Sequence, residues 1–340
     1  MHPPGKVHDT PSIWCLVARI NEKEKAVAEK KVIAVVGATG AQGGGLARAI
    51  LADAGGGFAV RALTRHPDSD AARQLAALGA EVIEADMTDQ WSMTKAFDGA
   101  YGAFLVTNFW KHMSPEQEKR DAATMARAAR TAGLSHVIWS TLDDTREHIP
   151  LDDERMPTLE GRYKVPHFDA KAEANQYFTD AGVPTTFLQT TFYWENLLGP
   201  MAPKRAEDGR LVLALPMADS RLAGIAAEDI GKTAYGIFRR GRDLVGRTVP
   251  IAGEHLTGTQ MAEQLGAALG EEVSYVPVPF DAVRAQPFPG AVETGNMFQF
   301  YAQVPRFTAV RDLNVVRDLN AELQTFAQWL AAHQDAFANA

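Results

Sequence analysis

The chain has 340 residues, 46% of them hydrophobic and 22% charged. That balance fits one large α/β domain, alone or with a smaller lobe, and argues against a chain disordered throughout. A net charge of −8 argues against broad recognition of a nucleic-acid backbone, and no apolar run reaches the roughly eighteen residues of a membrane helix. Cys15 is the only cysteine, which excludes an intramolecular disulfide and a multi-cysteine zinc site; a reducing compartment, the cytoplasm, is the expected location.

Residues 1–30 carry the charged run NEKEKAVAEKK and are expected to form a mobile or loosely docked extension. Glu22, Glu24 and Glu29 make a transit peptide a poor reading, because such peptides are acid-poor. From Lys31 the pattern becomes regular. The run VIAVV predicts a buried strand, a glycine-rich turn follows, and LARAILADAG has helical spacing ending at glycine. The cycle repeats as FAVRALTR with a helix through Leu75 and Leu78, as AEVIEAD with Trp91 to Phe97, and as YGAFLVTN with Glu116 to Ala132, before SHVIWSTL adds a fifth strand. Continuous apolar strands alternating with amphipathic helices predict a doubly wound parallel sheet of the Rossmann type over residues 31–196.

The stretch from Asp143 to Pro166 has no clear period and reads as a long loop. A helix from about His167 to Ala181 and the strand VPTTFLQTTF follow. Beyond Asn196 the pattern loosens into LVLALP, a helix over Glu228 to Arg240, TVPIAG, a helix through Met261 to Leu269, VSYVPVP, and the C-terminal amphipathic helix QTFAQWLAAHQDAF. Residues 197–340 are therefore expected to form a smaller α/β lobe, with some segments returning to the main sheet.

Gly37-Ala38-Thr39-Gly40-Ala41-Gln42-Gly43 follows a buried strand and opens a helix, the setting a dinucleotide phosphate turn requires. Gly37 would permit the tight turn, Gly40 the approach of a pyrophosphate, and Gly43 close packing of helix on strand. The second strand ends in Arg65 rather than an acid, which suits the 2′-phosphate of NADP(H); the plain alternative is a solvated loop cation. Asp86 and Thr107-Asn108-Phe109 end the third and fourth strands on the same edge, either as adenine-side and nicotinamide-side contacts or as strand-end caps.

With VVGATGAQGGG, LTR, VTNFW, HFDAK and FYWENLL in view, the chain resembles the NmrA-like family, an atypical branch of the short-chain dehydrogenase/reductases, and within it the HSCARG-type NADP(H) sensors. The resemblance extends through the later segments FPGAVETGNMFQFY and AQWLAAHQDAF. It implies a Rossmann fold, NADP(H) as cofactor, and contacts to it from Gly37 through Gln42, Arg65, Thr107 to Phe109, Lys171, Tyr193, Trp194, Glu195 and Asn196. It also implies regulation through a protein partner rather than efficient turnover. The residues after Arg65 are His66-Pro67-Asp68-Ser69, without the further basic residue often found there, which implies a weaker preference for the 2′-phosphate.

A working short-chain dehydrogenase needs tyrosine and lysine four residues apart on one helix face, with a serine nearby. Here the slot reads His167-Phe168-Asp169-Ala170-Lys171, so the lysine is kept and histidine stands where the tyrosine would be. His167 is a candidate proton donor, Lys171 a candidate ribose contact and Ser140 the candidate polarising serine. Pro166 places His167 in the first helical turn, where the positive helix end works against an imidazolium. Tyr163 falls in irregular chain and does not complete the pattern.

Phe109, Trp110, Tyr193, Trp194, Phe298 and Phe300 are candidates for an apolar pocket wall, with core packing as the alternative. His112, His136 and His148 show no metal-ligand spacing. The chain is thus expected to be an NADP(H)-responsive regulator acting through a protein partner, with a homodimer also open and neither nucleic acid nor membrane as a contact. An NADPH-dependent reductase of small carbonyls or quinones is the alternative.

Overall fold

A computed structural model describes residues 30–337; the expected N-terminal extension, apart from Lys30, lies outside them. The alternation read from the sequence is realised as β1 (Lys31–Val36), α1 (Ala41–Ala52), β2 (Phe58–Thr64), α2 (Asp70–Ala77), β3 (Glu81–Glu84), α3 (Gln90–Phe97), β4 (Gly102–Leu105), α4 (Pro115–Thr131), β5 (His136–Thr141), α5 (Pro166–Asp180) and β6 (Thr185–Gln189). These strands pair in parallel in a sheet of seven, ordered β11-β6-β5-β4-β1-β2-β3, where β11 is Thr248–Pro250. The apolar runs are continuous because helices cover both faces. Ile33, Val35, Leu46, Ile50 and Ile230 pack on one face, and Ala34, Phe97, Met125, Trp139 and Phe178 on the other.

The segment TVPIAG, assigned by pattern to the second lobe, returns to the main sheet: Val249 pairs with Leu188, and Ile251 is buried in the same core as Ile33. Helix α6 (Ala227–Arg239) brings it there by packing against α1 through small residues. A Cβ on Gly45 would lie 2.5 Å from the Glu228 carbonyl oxygen, and one on Gly231 would run into the backbone of Gly45 and Leu46.

The rest of the chain forms two three-stranded sheets and a helical cover. One sheet is ordered β12-β10-β7, from Glu254–Thr257, Arg221–Ile225 and Phe192–Tyr193; the other is β13-β9-β8, from Val273–Pro277, Leu211–Leu215 and Lys204–Arg205. Around them lie α7 (Gly258–Leu269), α8 (Phe280–Arg284), α9 (Ala291–Gln303), α10 (Pro305–Ala309) and α12 (Phe326–His333), whereas α11 (Leu313–Leu319) packs on α6, with Val316 in the core of the main sheet. Phe298 and Phe300 fill this lobe's core together with Trp194, Phe307, Phe326 and Trp329, so packing, not a pocket wall, is their role.

Strand β10 and helix α9 were not read from the sequence, because each is interrupted by a glycine that packing requires. A Cβ on Gly224 would overlap the Trp194 indole, and one on Gly295 would lie 3.0 Å from the Phe280 carbonyl oxygen.

His136 opens β5 with its ring fully buried, its Nε2 2.9 Å from Thr186 Oγ1 and its Nδ1 without a partner. Burial above all, aided by the charge of Arg242, pulls its pKa from 6.5 down to about 4. The folded state therefore disfavours the proton that the unfolded chain accepts. Stability from this group is complete above pH 6.5 and is lost as pH falls through 4, by about 3 kcal/mol in all. Urea unfolding at pH 7 and pH 4 checks this: His136→Asn is expected to lose less stability between the two than the parent chain.

Candidate functional site

Strand β1 delivers the chain to a turn that only glycines fit. Gly37 has φ +67°, in the left-handed region, and its carbonyl accepts the Gly40 N–H at 2.8 Å. A Cβ on Gly43 would lie 2.5 Å from the Gly37 oxygen and 2.8 Å from that of Val36, so α1 can rest on the end of β1 only without one. Gly40 caps α1 with no side chain over the first turn; Thr39, Gly40 and Ala41 are exposed and Ala38 is buried beneath them. The uncovered N–H groups and the positive end of α1 make a seat for an anion.

Arg65 stands just past the end of β2, the neighbouring strand, where Leu63 pairs with Val36. It is exposed and makes no side-chain hydrogen bond or ion pair with the described residues. Asp86 follows β3 and caps its own turn: Oδ1 accepts the Thr88 N–H and hydroxyl, each at 2.9 Å. The Thr88 N–H foremost, against partial burial and with help from the Thr88 hydroxyl, Arg65 and Lys111, holds this carboxyl below its usual range. Asp86 Oδ1 thus caps the strand end, and Oδ2 makes no hydrogen bond with the described residues.

If Arg65 receives a 2′-phosphate, Arg65→Ala is expected to weaken NADPH binding about tenfold or more while leaving NADH binding unchanged, since one charge-assisted contact contributes about 1.5–3 kcal/mol. Calorimetric titration with both cofactors checks it, and equal losses would remove the assignment.

Ser140, Gln42 and Tyr193 form a hydrogen-bonded chain. Ser140 Oγ donates to Gln42 Oε1 at 2.8 Å, and Gln42 Nε2 donates to the Tyr193 hydroxyl oxygen at 2.5 Å. Desolvation raises the proton affinity of that hydroxyl. The Gln42 side chain is thereby committed to the protein. Ser140 makes no hydrogen bond to His167 or Lys171; its hydroxyl is given to Gln42.

Lys171 is buried, its Nζ 2.6 Å from Thr107 Oγ1, 3.4 Å from the Thr107 carbonyl oxygen and 2.7 Å from Glu118 Oε1. Thr107 Oγ1 donates in turn to Glu118, whose side chain is fully buried and whose second oxygen lies 3.4 Å from His112 Nε2. The lysine thus sits at the end of β4, beside exposed Asn108 and the buried ring of Phe109, with its charge balanced by a carboxylate on α4.

His167 occupies the first turn of α5, behind Pro166, as the sequence indicated. Its Nδ1 lies 2.6 Å from Glu293 Oε1 on α9, and its backbone N–H donates to the same oxygen at 2.7 Å. This carboxylate caps a helix end that has no local side-chain cap and offsets the positive pole facing the ring. Phe168, Trp110 and Phe109 surround the imidazole with centroids 4.8, 4.9 and 5.6 Å away.

Asp169, between the two slot residues, is structural. Its fully buried carboxylate accepts the N–H and hydroxyl of Thr145 and the N–H groups of Lys164 and Val165. Burial pushes its pKa up. The Asp143–Pro166 stretch is thereby pinned to α5, with Met156, Tyr163 and Lys164 buried inside it. Tyr163 donates to Glu116 at 3.2 Å and accepts from Lys119 at 3.1 Å rather than lining an opening.

Two residues carried over by the resemblance face away from the glycine turn. Trp194 is 2% exposed and packs on Phe326 and Trp329. Glu195 holds the Ala227 N–H at 3.0 Å with both oxygens, capping α6, and accepts from Trp329 Nε1 at 3.2 Å. Burial raises its pKa. Asn196 is half-buried, with no side-chain hydrogen bond to the described residues. Sequence reading missed Glu118 and Glu293: both are acids on amphipathic helices, and nothing local marks them as buried partners.

Comparison with known proteins agrees with the fold. Among curated proteins, the chain is 29% identical to the NmrA-like family domain-containing oxidoreductase notA of Aspergillus sp. (strain MF297-2) over 270 residues, covering 73% of this chain and 76% of that one. It is 30% identical to the corresponding oxidoreductase FrzB of Cladobotryum sp. over 267 residues, with coverage of 73% and 76%. The crystal structure of NmrA, a negative transcriptional regulator, in complex with NADP superposes with a TM-score of 0.73 at 24% identity, over 89% of this chain and 95% of that one, a likeness of fold. The model of the NmrA-like family matches residues 29–330, and with the parallel sheet, the glycine turn and the late segments all in place the chain belongs to the NmrA-like family.

Proposed function

We propose that the protein binds NADP(H) and uses it to reduce a small carbonyl or quinone substrate. The fit to the cofactor is supported by the cradle that a Cβ at Gly43 would fill, by the uncovered first turn of α1 and by the unpaired Arg65. The backbone from Gly37 to Gly43 would hold the pyrophosphate, Arg65 the 2′-phosphate, and Thr107, Asn108, Phe109, Lys171, Tyr193 and Asn196 the nicotinamide half. When bound, the reduced nicotinamide supplies a hydride.

The chain's own contribution is to place Lys171 at the ribose side, keep water away with Phe109, and deliver from His167 the proton that completes the reduction. The observation that carries the enzyme reading is the His167–Glu293 pair one helical turn from Lys171: histidine takes the tyrosine's place and has a buried carboxylate to orient it. The names of the curated relatives point the same way.

A regulatory reading keeps support from the Lys171–Glu118 pair and from the diversion of Ser140 to Gln42, neither of which reduction requires. Anaerobic incubation with NADPH and a panel of quinones and aldehydes decides between them. Oxidation of NADPH matched by product supports the enzyme; micromolar binding without turnover supports a sensor.

A further inference from the structure

We infer that Glu293 is a positioning residue that presents the Nε2 of His167 to a planar, apolar aromatic substrate lying against Trp110. This rests on the reductase reading and adds the substrate class and the residue that orients the proton donor.

With Nδ1 held 2.6 Å from Glu293 Oε1, the ring is fixed in rotation with one proton on Nδ1; the proton it delivers is a second one, taken from solvent at Nε2, and the carboxylate balances the charge of the doubly protonated ring until that proton leaves. The backbone N–H of His167 grips the same oxygen, so the carboxylate itself cannot swing away. Nε2 has no hydrogen-bond partner among the described residues, and it is absent from the buried polar atoms that lack one. It therefore reaches the surface, and the carboxylate decides which nitrogen does so.

What borders the ring is apolar. Trp110, with its ring centroid 4.9 Å from the imidazole's, is 49% exposed, an unusual exposure for a large aromatic side chain. The segment leading into α9 closes on the same spot: a Cβ on Gly290 would lie 3.2 Å from the Trp110 ring and 2.9 Å from the Met113 methyl, and Gly290 has φ +83°. Phe288 and Val292, on either side of Gly290, are 46% and 36% exposed. Two segments far apart in sequence thus meet at the Trp110 ring, which itself packs on the imidazole. The rings packed on the imidazole are Phe109, Trp110 and Phe168, surroundings that favour a flat ring stacking on indole over a charged substrate.

The test uses the full chain with NADPH and two substrates, menadione and propanal. Glu293→Gln is expected to lower kcat ten- to a hundredfold with KM and NADPH affinity unchanged, and to replace the single Nδ1–H tautomer of His167, read by ¹⁵N NMR of the ring, with a mixture. Trp110→Ala is expected to raise KM for menadione about tenfold and to raise KM for propanal far less. Glu293→Asp, a shorter acid, guards against a folding artefact: it should keep the thermal midpoint and show an intermediate kcat.

Unchanged kcat together with an unchanged tautomer in Glu293→Gln overturns the positioning role, and equal KM changes for both substrates in Trp110→Ala overturn the aromatic platform. If the parent chain turns over nothing, the reductase reading falls and this substrate class with it; the tautomer signal then still decides whether Glu293 orients the ring.

Discussion

Lys171→Ala should produce the largest functional loss in the molecule, a fall in turnover of about a hundredfold or more, together with destabilisation of about 3 kcal/mol or more. The two effects have different origins. The stability loss comes from Glu118, which is fully buried and has Lys171 Nζ 2.7 Å away. Removing one partner of a buried pair strands the other charge, and the remaining neighbours, the Thr107 hydroxyl and His112, do not replace an ammonium.

The double variant Lys171→Met, Glu118→Gln removes both charges at nearly constant volume. It is expected to recover most of the thermal midpoint and none of the turnover. Recovery of turnover in the double variant would show that Lys171 acts only as the counter-ion of Glu118, and the cofactor-side role proposed for it would be wrong. Thermal melts and NADPH oxidation on the same samples suffice.

Gly231→Ala should be among the most destabilising single-methyl additions, costing about 3 kcal/mol or more. Helices α1 and α6 touch backbone to backbone at Gly45 and Gly231, where an added Cβ meets Leu46 N and Gly45 C rather than a movable side chain. The helices must separate, and α1 is the helix whose first turn forms the proposed phosphate seat. Stability and NADPH affinity should therefore fall together. Gly241→Ala, in an open loop with φ +66°, is the control: it carries only local backbone strain, near 1 kcal/mol, and should leave affinity alone. A Gly231→Ala protein with unaltered melting would show that α1 and α6 part at little cost.

The strands and helices through β6 were legible because each is a local pattern. A continuous apolar run is what a strand covered on both faces must be, and a glycine turn opening a helix is its own signature. The same logic exposed the histidine in the tyrosine's place, since a spacing of four on one helix is local too. Where the resemblance carried residues over by position, side-chain direction was decisive: Tyr193 reaches Gln42, while Trp194 and Glu195, the next two residues, turn into the second lobe's core and the cap of α6.

By itself, the sequence determined the alternating βα order, the site of the glycine turn, the arginine in place of an acid after β2 and the family. Tertiary structure alone decided that residues 248–250 close the edge of the main sheet, that Asp86 serves its own turn, and that Glu118 and Glu293 hold Lys171 and His167. The division has a physical cause. Periodicity reports that a face is buried but not which element buries it, and a carboxylate 126 residues from its histidine leaves no trace until the chain has brought α9 against α5.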